Sequence, residues 1–307
     1  MNILITGVGG PAGICFAKSL SEIKEINLIG ANAEKDAIGK KFVKKFYKLP
    51  FANKPTFISE LNKIIKKEKI DLLIPLVDEE LVVVSKNIKR IDCKILISPQ
   101  ITIEHTTDKS NLYNKLKEFL PKRYNKNNAS FPLLIKPNVG RGSRDIHLIN
   151  NNYDLEIFDE NKYVFQEVLE GPEYTVDTLF DFNGNPLIIV PRIRAKVKEG
   201  ISITGKIILD KEIISKVRGM SKRLKFIGPI NFQFMKSKGG ELKLIEINAR
   251  SSGGMGITIN SGVDIPKLTY DLTNGGIKKV PKIKEGEFNN FEEIITRQKL
   301  KVEKIKC

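Results

Sequence analysis

Residues 241–254 read Glu241-Leu242-Lys243-Leu244-Ile245-Glu246-Ile247-Asn248-Ala249-Arg250-Ser251-Ser252-Gly253-Gly254. The leucines and isoleucines predict a strand, and because side chains alternate along a strand, Glu246, Asn248 and Arg250 share one polar face. A carboxylate and an amide oxygen two residues apart on a rigid strand suit a hard divalent cation such as Mg²⁺. Arg250 on the same face suits a phosphate or a carboxylate.

A second strand is predicted immediately upstream, over residues 230–235, and turn-forming residues 236–240 separate the two strands. Antiparallel pairing of these strands brings the amide oxygen of Gln233 beside Glu246. For each residue taken alone, the polar face of an ordinary edge hairpin is the alternative. The group as a whole, followed by a Ser-Ser-Gly-Gly loop, favours a binding site.

Gln233 and the pattern Glu246-x-Asn248-x-Arg250, followed by the Gly/Ser loop, resemble the metal-binding hairpin of ATP-grasp enzymes, most of all their carbamoyl-phosphate-synthetase-like branch. The resemblance implies an α/β and α+β protein with an N-terminal Rossmann-like (pre-ATP-grasp) domain, followed by an ATP-grasp fold with a reduced lid. It implies Gln233, Glu246 and Asn248 as metal ligands and Arg250 and Lys136 as catalytic residues. The implied cofactors are ATP and Mg²⁺, two ions rather than one, with Mn²⁺ as an alternative metal.

Two further segments match the nucleotide-binding parts of that family. Residues 131–149 predict two strands around a glycine-rich loop, whose backbone N–H groups can approach a phosphate that Lys136 also reaches. Residues 163–177 resemble the adenine-binding hinge, in which Gln166 replaces a usual Glu and Glu173 holds the ribose. The nucleotide-binding residues that the resemblance implies are Lys109, Lys136, Gly140, Arg141, Gly142, Ser143, Gln166, Glu167, Leu169 and Glu173.

The acceptor side of the predicted cleft is less well specified by the sequence. Alternation along residues 187–196 places Arg192, Arg194 and Lys196 on one face of a strand. Three neighbouring cations on a buried face would need an anion or water beside them. A solvent-exposed edge strand is nearly as good an interpretation. The predicted substrate-binding residues are Arg192, Arg194, Ser251, Ser252 and Gly253. Polar residues 121–130 predict a linker, shorter than the family's usual segment.

The N-terminal segment predicts a strand over residues 2–6, a glycine turn and a helix, which together open a Rossmann-like unit. The spacing of Gly7, Gly10 and Gly13 also resembles the nucleotide fingerprint of extended short-chain dehydrogenases, so NAD(P) binding is an alternative. The second strand ends in Ala31-Asn32 rather than in an acidic residue for an adenosine ribose, which weakens that alternative.

Composition excludes several other classes of protein. The chain has 307 residues, 41% of them hydrophobic, and no apolar run approaches the ~20 residues that span a bilayer, so we expect a cytoplasmic protein without a membrane partner. The formal charge of +16 comes from lysines spread through nearly every segment, which indicates a solvated surface more than a nucleic-acid site. Three scattered cysteines suggest neither a zinc site nor a disulfide framework.

These patterns predict four parts: a Rossmann-like domain (1–105), a small lid subdomain (106–172), a large subdomain with the metal site (173–290) and a basic C-terminal tail (291–307). The function that the resemblance implies is an ADP-forming ligase that joins a small-molecule carboxylate to an amine, or to a thiol, through an acyl phosphate. The alternatives are an NAD(P)-dependent oxidoreductase, an ATP-grasp protein that binds nucleotide without ligating, and a basic nucleic-acid-binding protein. The oligomeric state stays open, a homodimer included.

Overall fold

The N-terminal strands form a five-stranded parallel sheet in the order β3-β2-β1-β4-β5, as seen in a computed structural model that describes residues 1–140 and 145–296. Gly7 adopts a φ of +69° in the turn after β1, and a Cβ on Gly13 would lie 2.2 Å from the Gly7 carbonyl oxygen, so the helix packs directly on the turn. The elements are β1 (Asn2–Thr6), α1 (Pro11–Leu20), β2 (Asn27–Asn32), β3 (Lys45–Lys48), α2 (Phe57–Glu68), β4 (Leu72–Ile74), α3 (Asp78–Lys86), β5 (Lys94–Ile95) and α4 (Gln100–Thr107).

A small antiparallel sheet follows, in the order β6-β9-β7-β8. Its elements are α5 (Lys109–Leu116), β6 (Arg123–Tyr124), β7 (Leu133–Pro137), β8 (His147–Ile149), α6 (Asn152–Leu155) and β9 (Tyr163–Glu167). Asp108 caps α5 by accepting from the backbone N–H groups of Ser110 and Asn111. The prediction that residues 121–130 form only a linker is wrong, because β6 within them pairs with β9 and extends the sheet.

The largest sheet is antiparallel and has the order β14-β13-β10-β11-β12-β15. Its elements are β10 (Glu173–Phe180), β11 (Pro186–Lys198), β12 (Ile201–Ile207), α7 (Lys211–Ser221), β13 (Gly228–Lys236), β14 (Leu242–Asn248), α8 (Met255–Asn260), α9 (Ile265–Thr273) and β15 (Gly286–Asn289). The hairpin of β13 and β14 is confirmed, since both strands form and pair antiparallel as expected.

A β-bulge at Ile245 sets the faces of β14. Gln233 pairs with Glu246 and Phe234 pairs with Leu244, so Ile245 is the extra residue on its strand. As a result Leu244 and Ile247, an odd number of positions apart, are both buried in the same hydrophobic cluster. Glu246 and Asn248 consequently face the opposite side.

Hydrophobic clusters join the N-terminal sheet to the large sheet. One cluster combines α2–α5 with α7 and the buried face of the large sheet, including Val217, Phe232 and Leu244. A second cluster contains Phe291 and Ile294, so residues 291–296 pack on the protein although the sequence analysis assigns them to a tail. No helix within residues 1–140 and 145–296 combines the length and apolar character needed to cross a membrane.

Candidate active site

One face of the large sheet carries rows of polar side chains across neighbouring strands. Strand register places Glu246, Gln233, Thr175 and Arg192 side by side on β14, β13, β10 and β11, and directly paired residues in antiparallel strands point to the same face. A second row contains Asn248, Asn231 and Asp177. All of these residues except Asp177 line a cavity of about 660 Å³ between this face and the small sheet, with Glu246 and Arg192 at opposite ends of their row.

The candidate metal ligands lie together at the β13–β14 end of the rows. Gln233 is the direct cross-strand partner of Glu246, and the amide oxygen of Asn248 accepts a 3.4 Å hydrogen bond from Arg250 Nη2. That bond directs the amide oxygen of Asn248 toward Arg250. Among the described residues, no group of three or more His, Cys, Asp or Glu side chains could hold a metal, so a cation here would use one carboxylate and two amide oxygens. These hard oxygen donors fit Mg²⁺.

Two lysines face the carboxylate of Glu246. Lys136 Nζ donates at 3.3 Å to the carbonyl oxygen of Ile245, the bulged residue, and Lys109 Nζ donates at 3.3 Å to the Gly140 carbonyl oxygen. Burial, together with nearby Lys109 and against the opposing effect of Glu246, lowers the pKa of Lys136 to about 8. Burial likewise raises the pKa of the Glu246 carboxyl, against the effect of Lys109. The site therefore holds unneutralised positive charge near a buried acid, as a polyanionic ligand requires.

Arg250 is fixed by the N-terminal domain, which the sequence analysis did not foresee. Its Nη2 donates to Asp78 at the start of α3, and its Nη1 donates at 2.8 Å to the Ser251 carbonyl oxygen. Burial alone would lower the pKa of the guanidinium, but the charge and hydrogen bond of Asp78 raise it overall. Arg250 is thus permanently charged and held at the junction of the two large sheets.

The predicted adenine hinge borders the cavity with most of its residues. Gln166, Val168, Leu169 and Glu173 line it, together with the apolar side chains of Leu134, Ile146, Met235 and Ile245. Glu167 is turned away, since its carboxylate accepts at 2.8 Å from the backbone N–H of Lys122 and its side chain does not line the cavity. Glu173 is hydrogen-bonded to Arg194. Arg141, Gly142 and Ser143 lie outside the described residues.

The three cations predicted on β11 divide into two groups. Arg192 and Arg194 line the cavity, but Lys196 is exposed and does not, because register irregularities on both sides of Lys196 interrupt the alternation. The prediction that all three share one face is therefore wrong for Lys196. Ser252 and Gly253 line the cavity, whereas Ser251 is buried outside it.

The N-terminal glycine turn lies beside the site but has its backbone donors engaged. The N–H of Gly9 donates at 3.1 Å to the side chain of Asn32, and the N–H of Gly10 donates at 2.9 Å to the Gly7 carbonyl oxygen. A Cβ on Gly253 would lie 3.2 Å from the Cβ of Pro11, so the turn supports the loop after β14. This internal bonding leaves the turn poorly suited to hold a dinucleotide phosphate.

Comparison with known proteins relates two parts of the chain to known families. A family model described as ATP-grasp in the biosynthetic pathway with Ter operon matches residues 159–293, and a PylC-like N-terminal domain model matches residues 3–96. The part of the chain that carries the polar rows is therefore similar to ATP-grasp proteins. The first of these matches covers the sheet that carries the polar rows, and the second covers the parallel sheet that supplies Asp78.

Three solved structures share the fold of this chain at low identity. The biotin carboxylase domain of the Hydrogenobacter thermophilus 2-oxoglutarate carboxylase, solved with MgADP and bicarbonate, matches with a TM-score of 0.75 and 16% identity over 93% of this chain and 73% of its own. The L-amino acid ligase from Bacillus licheniformis matches with a TM-score of 0.69 and 18% identity, over 88% of this chain and 73% of its own. N5-carboxyaminoimidazole synthetase from Staphylococcus aureus matches with a TM-score of 0.67 and 13% identity, over 98% of this chain and 96% of its own.

Several residues of the site were missed by reasoning from the sequence. Thr175 and Asn231 lie in the polar rows, but a lone Thr or Asn in a strand carries no signal until the register is known. Asp78 pairs with Arg250 across 172 positions, a separation that no sequence pattern links. Gln233, by contrast, was found because its partner lay one hairpin away.

Proposed function

We propose that the protein is an ATP-dependent, ADP-forming ligase that joins a carboxylate to an amine or a thiol through an acyl phosphate. The observation that carries the proposal is the convergence of Lys109, Lys136, Gln233, Glu246 and Asn248 on one cavity, which Arg250 also lines. Two lysines, one acid and two amides around one cavity suit a metal-bound triphosphate. The fold neighbours include an L-amino acid ligase, a biotin carboxylase domain and N5-carboxyaminoimidazole synthetase, which supports the same class.

The nucleotide would lie along the cavity with its base toward the hinge. The apolar side chains of Val168, Leu169 and Met235 offer faces for an adenine ring, and Glu173 would meet the ribose after exchanging its bond to Arg194. Lys136 and Lys109 would then contact the phosphate oxygens. Because Lys136 is buried with a lowered pKa, a phosphate would restore its full charge on binding.

The chain's own groups would stabilise charge during phosphoryl transfer. A carboxylate oxygen attacks the γ-phosphorus, the bond to the β,γ-bridging oxygen breaks, and ADP leaves. Mg²⁺, held by Gln233, Glu246 and Asn248, would neutralise phosphate charge when bound. Lys136 and Lys109 would hold the transferring group from one side, and Arg250 would hold the acyl phosphate near the N-terminal domain. The nucleophile then attacks the acyl carbon, phosphate leaves, and a proton is lost from the nucleophile.

A second cavity of about 340 Å³ gives the nucleophile a separate approach. It shares Lys109, Glu246 and Asn248 with the first cavity and extends between β14 and the helices α3, α4 and α5. Its walls are largely apolar, and Asp78 lies at its border. An amine entering there would reach the acyl carbon from the side opposite the adenine hinge.

Glu246→Gln tests the proposal with little change of shape. We expect the wild type to release ADP from ATP only in the presence of Mg²⁺, an acid and a nucleophile, measured by a coupled assay over panels of both. Loss of the carboxylate should lower that rate by about 100-fold or more. Glu241→Gln, on the same hairpin but exposed, is the matched control and should keep the wild-type rate.

Three outcomes would contradict parts of the proposal. An undiminished rate in Glu246→Gln would remove the metal assignment. ADP release without any acid would indicate a nucleotide hydrolase. Binding of NAD(P)H without binding of ATP, measured by calorimetric titration, would favour the oxidoreductase alternative.

A further inference from the structure

Arg192 is a fully buried cation, and only two of its three guanidinium nitrogens have hydrogen-bond partners among the described residues. Its side chain is 1% exposed, its Nε donates at 3.2 Å to Asp177, and its Nη2 donates at 3.3 Å to Ser252. Asp177 is itself held by Thr258 at 2.6 Å and by Asn231 at 3.4 Å. A Cβ on Gly254 would lie 2.2 Å from Nη2, so the guanidinium also packs against the loop backbone. The side chain is therefore rigid before any ligand binds.

Two guanidinium nitrogens at this end of the cavity are left without a partner. Within residues 1–140 and 145–296, Nη1 of Arg192 and Nε of Arg194 are buried and make no hydrogen bond, although both arginines line the cavity. The other nitrogens of Arg194 are engaged by Glu173 and by the Gly200 carbonyl oxygen at 2.8 Å. Buried N–H donors are normally paired, so two unpaired charged donors on one wall indicate a place for an anion.

This place is separate from the corner that would hold the metal and the reacting group. Arg192 lies two strands from Gln233 in the same row, which corresponds to about 10 Å at ~4.8 Å per strand. Arg250, which follows β14 in the chain, already donates to Asp78, Ser251 and Asn248. An anion held by Arg192 and Arg194 is therefore a different group from the one phosphorylated beside Glu246.

We propose that the acid substrate carries a second anionic group, such as a second carboxylate, which Arg192 Nη1 and Arg194 Nε bind while the first carboxylate is phosphorylated beside Glu246. The inference rests on the proposed ligase function. The substrate class is thus a dicarboxylic acid or a carboxylic acid with a phosphate, rather than a simple monocarboxylic acid or bicarbonate. Ser252 positions Arg192 and can donate its own hydroxyl to the same group.

Anion binding tests the subsite without depending on turnover. Inorganic sulfate is titrated into the full-length protein in the presence of Mg²⁺ and a saturating non-hydrolysable ATP analogue, and the unfolding temperature is followed. We expect sulfate to bind Arg194→Gln about tenfold or more weakly than the wild type, because a charged donor is lost. The double variant Asp177→Asn/Arg192→Gln, which removes both charges of the buried pair, should behave in the same way. Lys196→Gln, exposed on the same strand, is the matched control.

Turnover tests the substrate class. ADP release is measured with succinate, glutarate and adipate, each paired with its monoamide, and with simple monocarboxylic acids. Stimulation by the dicarboxylates, with a KM for the acid that rises about tenfold or more in Arg194→Gln but not in Lys196→Gln, supports the proposal. Unchanged sulfate binding in both variants, or stimulation by monocarboxylic acids with the same KM in wild type and Arg194→Gln, overturns it. Sulfate binding that depends on the arginines, without ADP release by any acid, would leave the anion subsite standing and contradict the ligase function.

Discussion

Replacing Lys136 by methionine should stabilise the protein while abolishing nucleotide binding. Burial lowers the pKa of this lysine from 10.5 to about 8. At about 1.4 kcal/mol for each pH unit, the charged form costs the folded state about 3 kcal/mol at neutral pH. The substitution also removes the 3.3 Å hydrogen bond to the Ile245 carbonyl oxygen, worth about 1 kcal/mol. The net gain in the free energy of unfolding is therefore about 2 kcal/mol at pH 7.

The lowered pKa of Lys136 also predicts how the stability difference between the two proteins changes with pH. Between pH 8 and 10.5 the folded protein has lost the Lys136 proton and the unfolded chain has kept it, so the wild type becomes more stable as pH rises. Lys136→Met lacks that rise, and the two proteins should converge in alkaline solution. Urea unfolding at pH 7, 8.5 and 9.5, with EDTA present to exclude metal, measures the difference, and calorimetric titration with MgATP measures the binding.

Lys267→Met is the control, because its side chain is exposed on α9 and should change neither quantity. A Lys136→Met protein that is less stable than the wild type at pH 7, or whose stability difference is the same at pH 7 and 9.5, would refute the reasoning. Retained MgATP binding would refute the role of the lysine.

Three further substitutions test other parts of the structure. Gly254→Ala introduces a Cβ 2.2 Å from Arg192 Nη2 and should lower the free energy of unfolding by about 1–3 kcal/mol in urea, whereas wild-type stability would show that the loop can move aside. Burial raises the pKa of Glu80 to about 7, so the folded state keeps a proton that the unfolded chain loses above pH 4.5, and wild-type stability should fall from pH 4.5 to 7. Glu80→Gln should remove that fall, and an identical pH profile for both proteins would contradict the assignment. Asp78→Asn removes the charged partner that positions Arg250, so kcat for ADP release should drop about tenfold or more without a change in KM for ATP; an unchanged kcat would show that the pair is not needed.

The sequence predicted those parts of the site that depend on neighbouring residues. Gln233 and Glu246 belong to one hairpin, so turn residues and strand alternation were enough to place them side by side. The strand that carries Lys136 and the strand–turn–helix at the N-terminus were also predicted correctly, because glycines and apolar runs mark their limits. Local patterns of this kind predict local geometry.

Other features required the tertiary structure. The bond from Arg250 to Asp78 joins two sheets, and no periodicity links residues 172 positions apart. Lys196 was assigned to the wrong face because the irregular register of β11 cannot be detected from a run of alternating residues. β6 was missed because it is only two residues long, lies in a polar segment and forms by pairing with β9. In each case a distant partner decides the local structure.

The bulge at Ile245 makes the length of β14 as important as its composition. Upstream of it the leucines face the core, and downstream of it the same parity would carry Glu246 and Asn248 into that core. Deleting Ile245 would exchange the cavity face and the core face of the second half of β14. The carboxylate of Glu246 would then be buried among the phenylalanines of the core. Ile245→Ala would keep the number of residues in β14, so the same side chains would face the cavity. Insertions and deletions here are thus far less tolerable than substitutions, so we expect natural variants of this hairpin to keep its residue count even where its side chains differ.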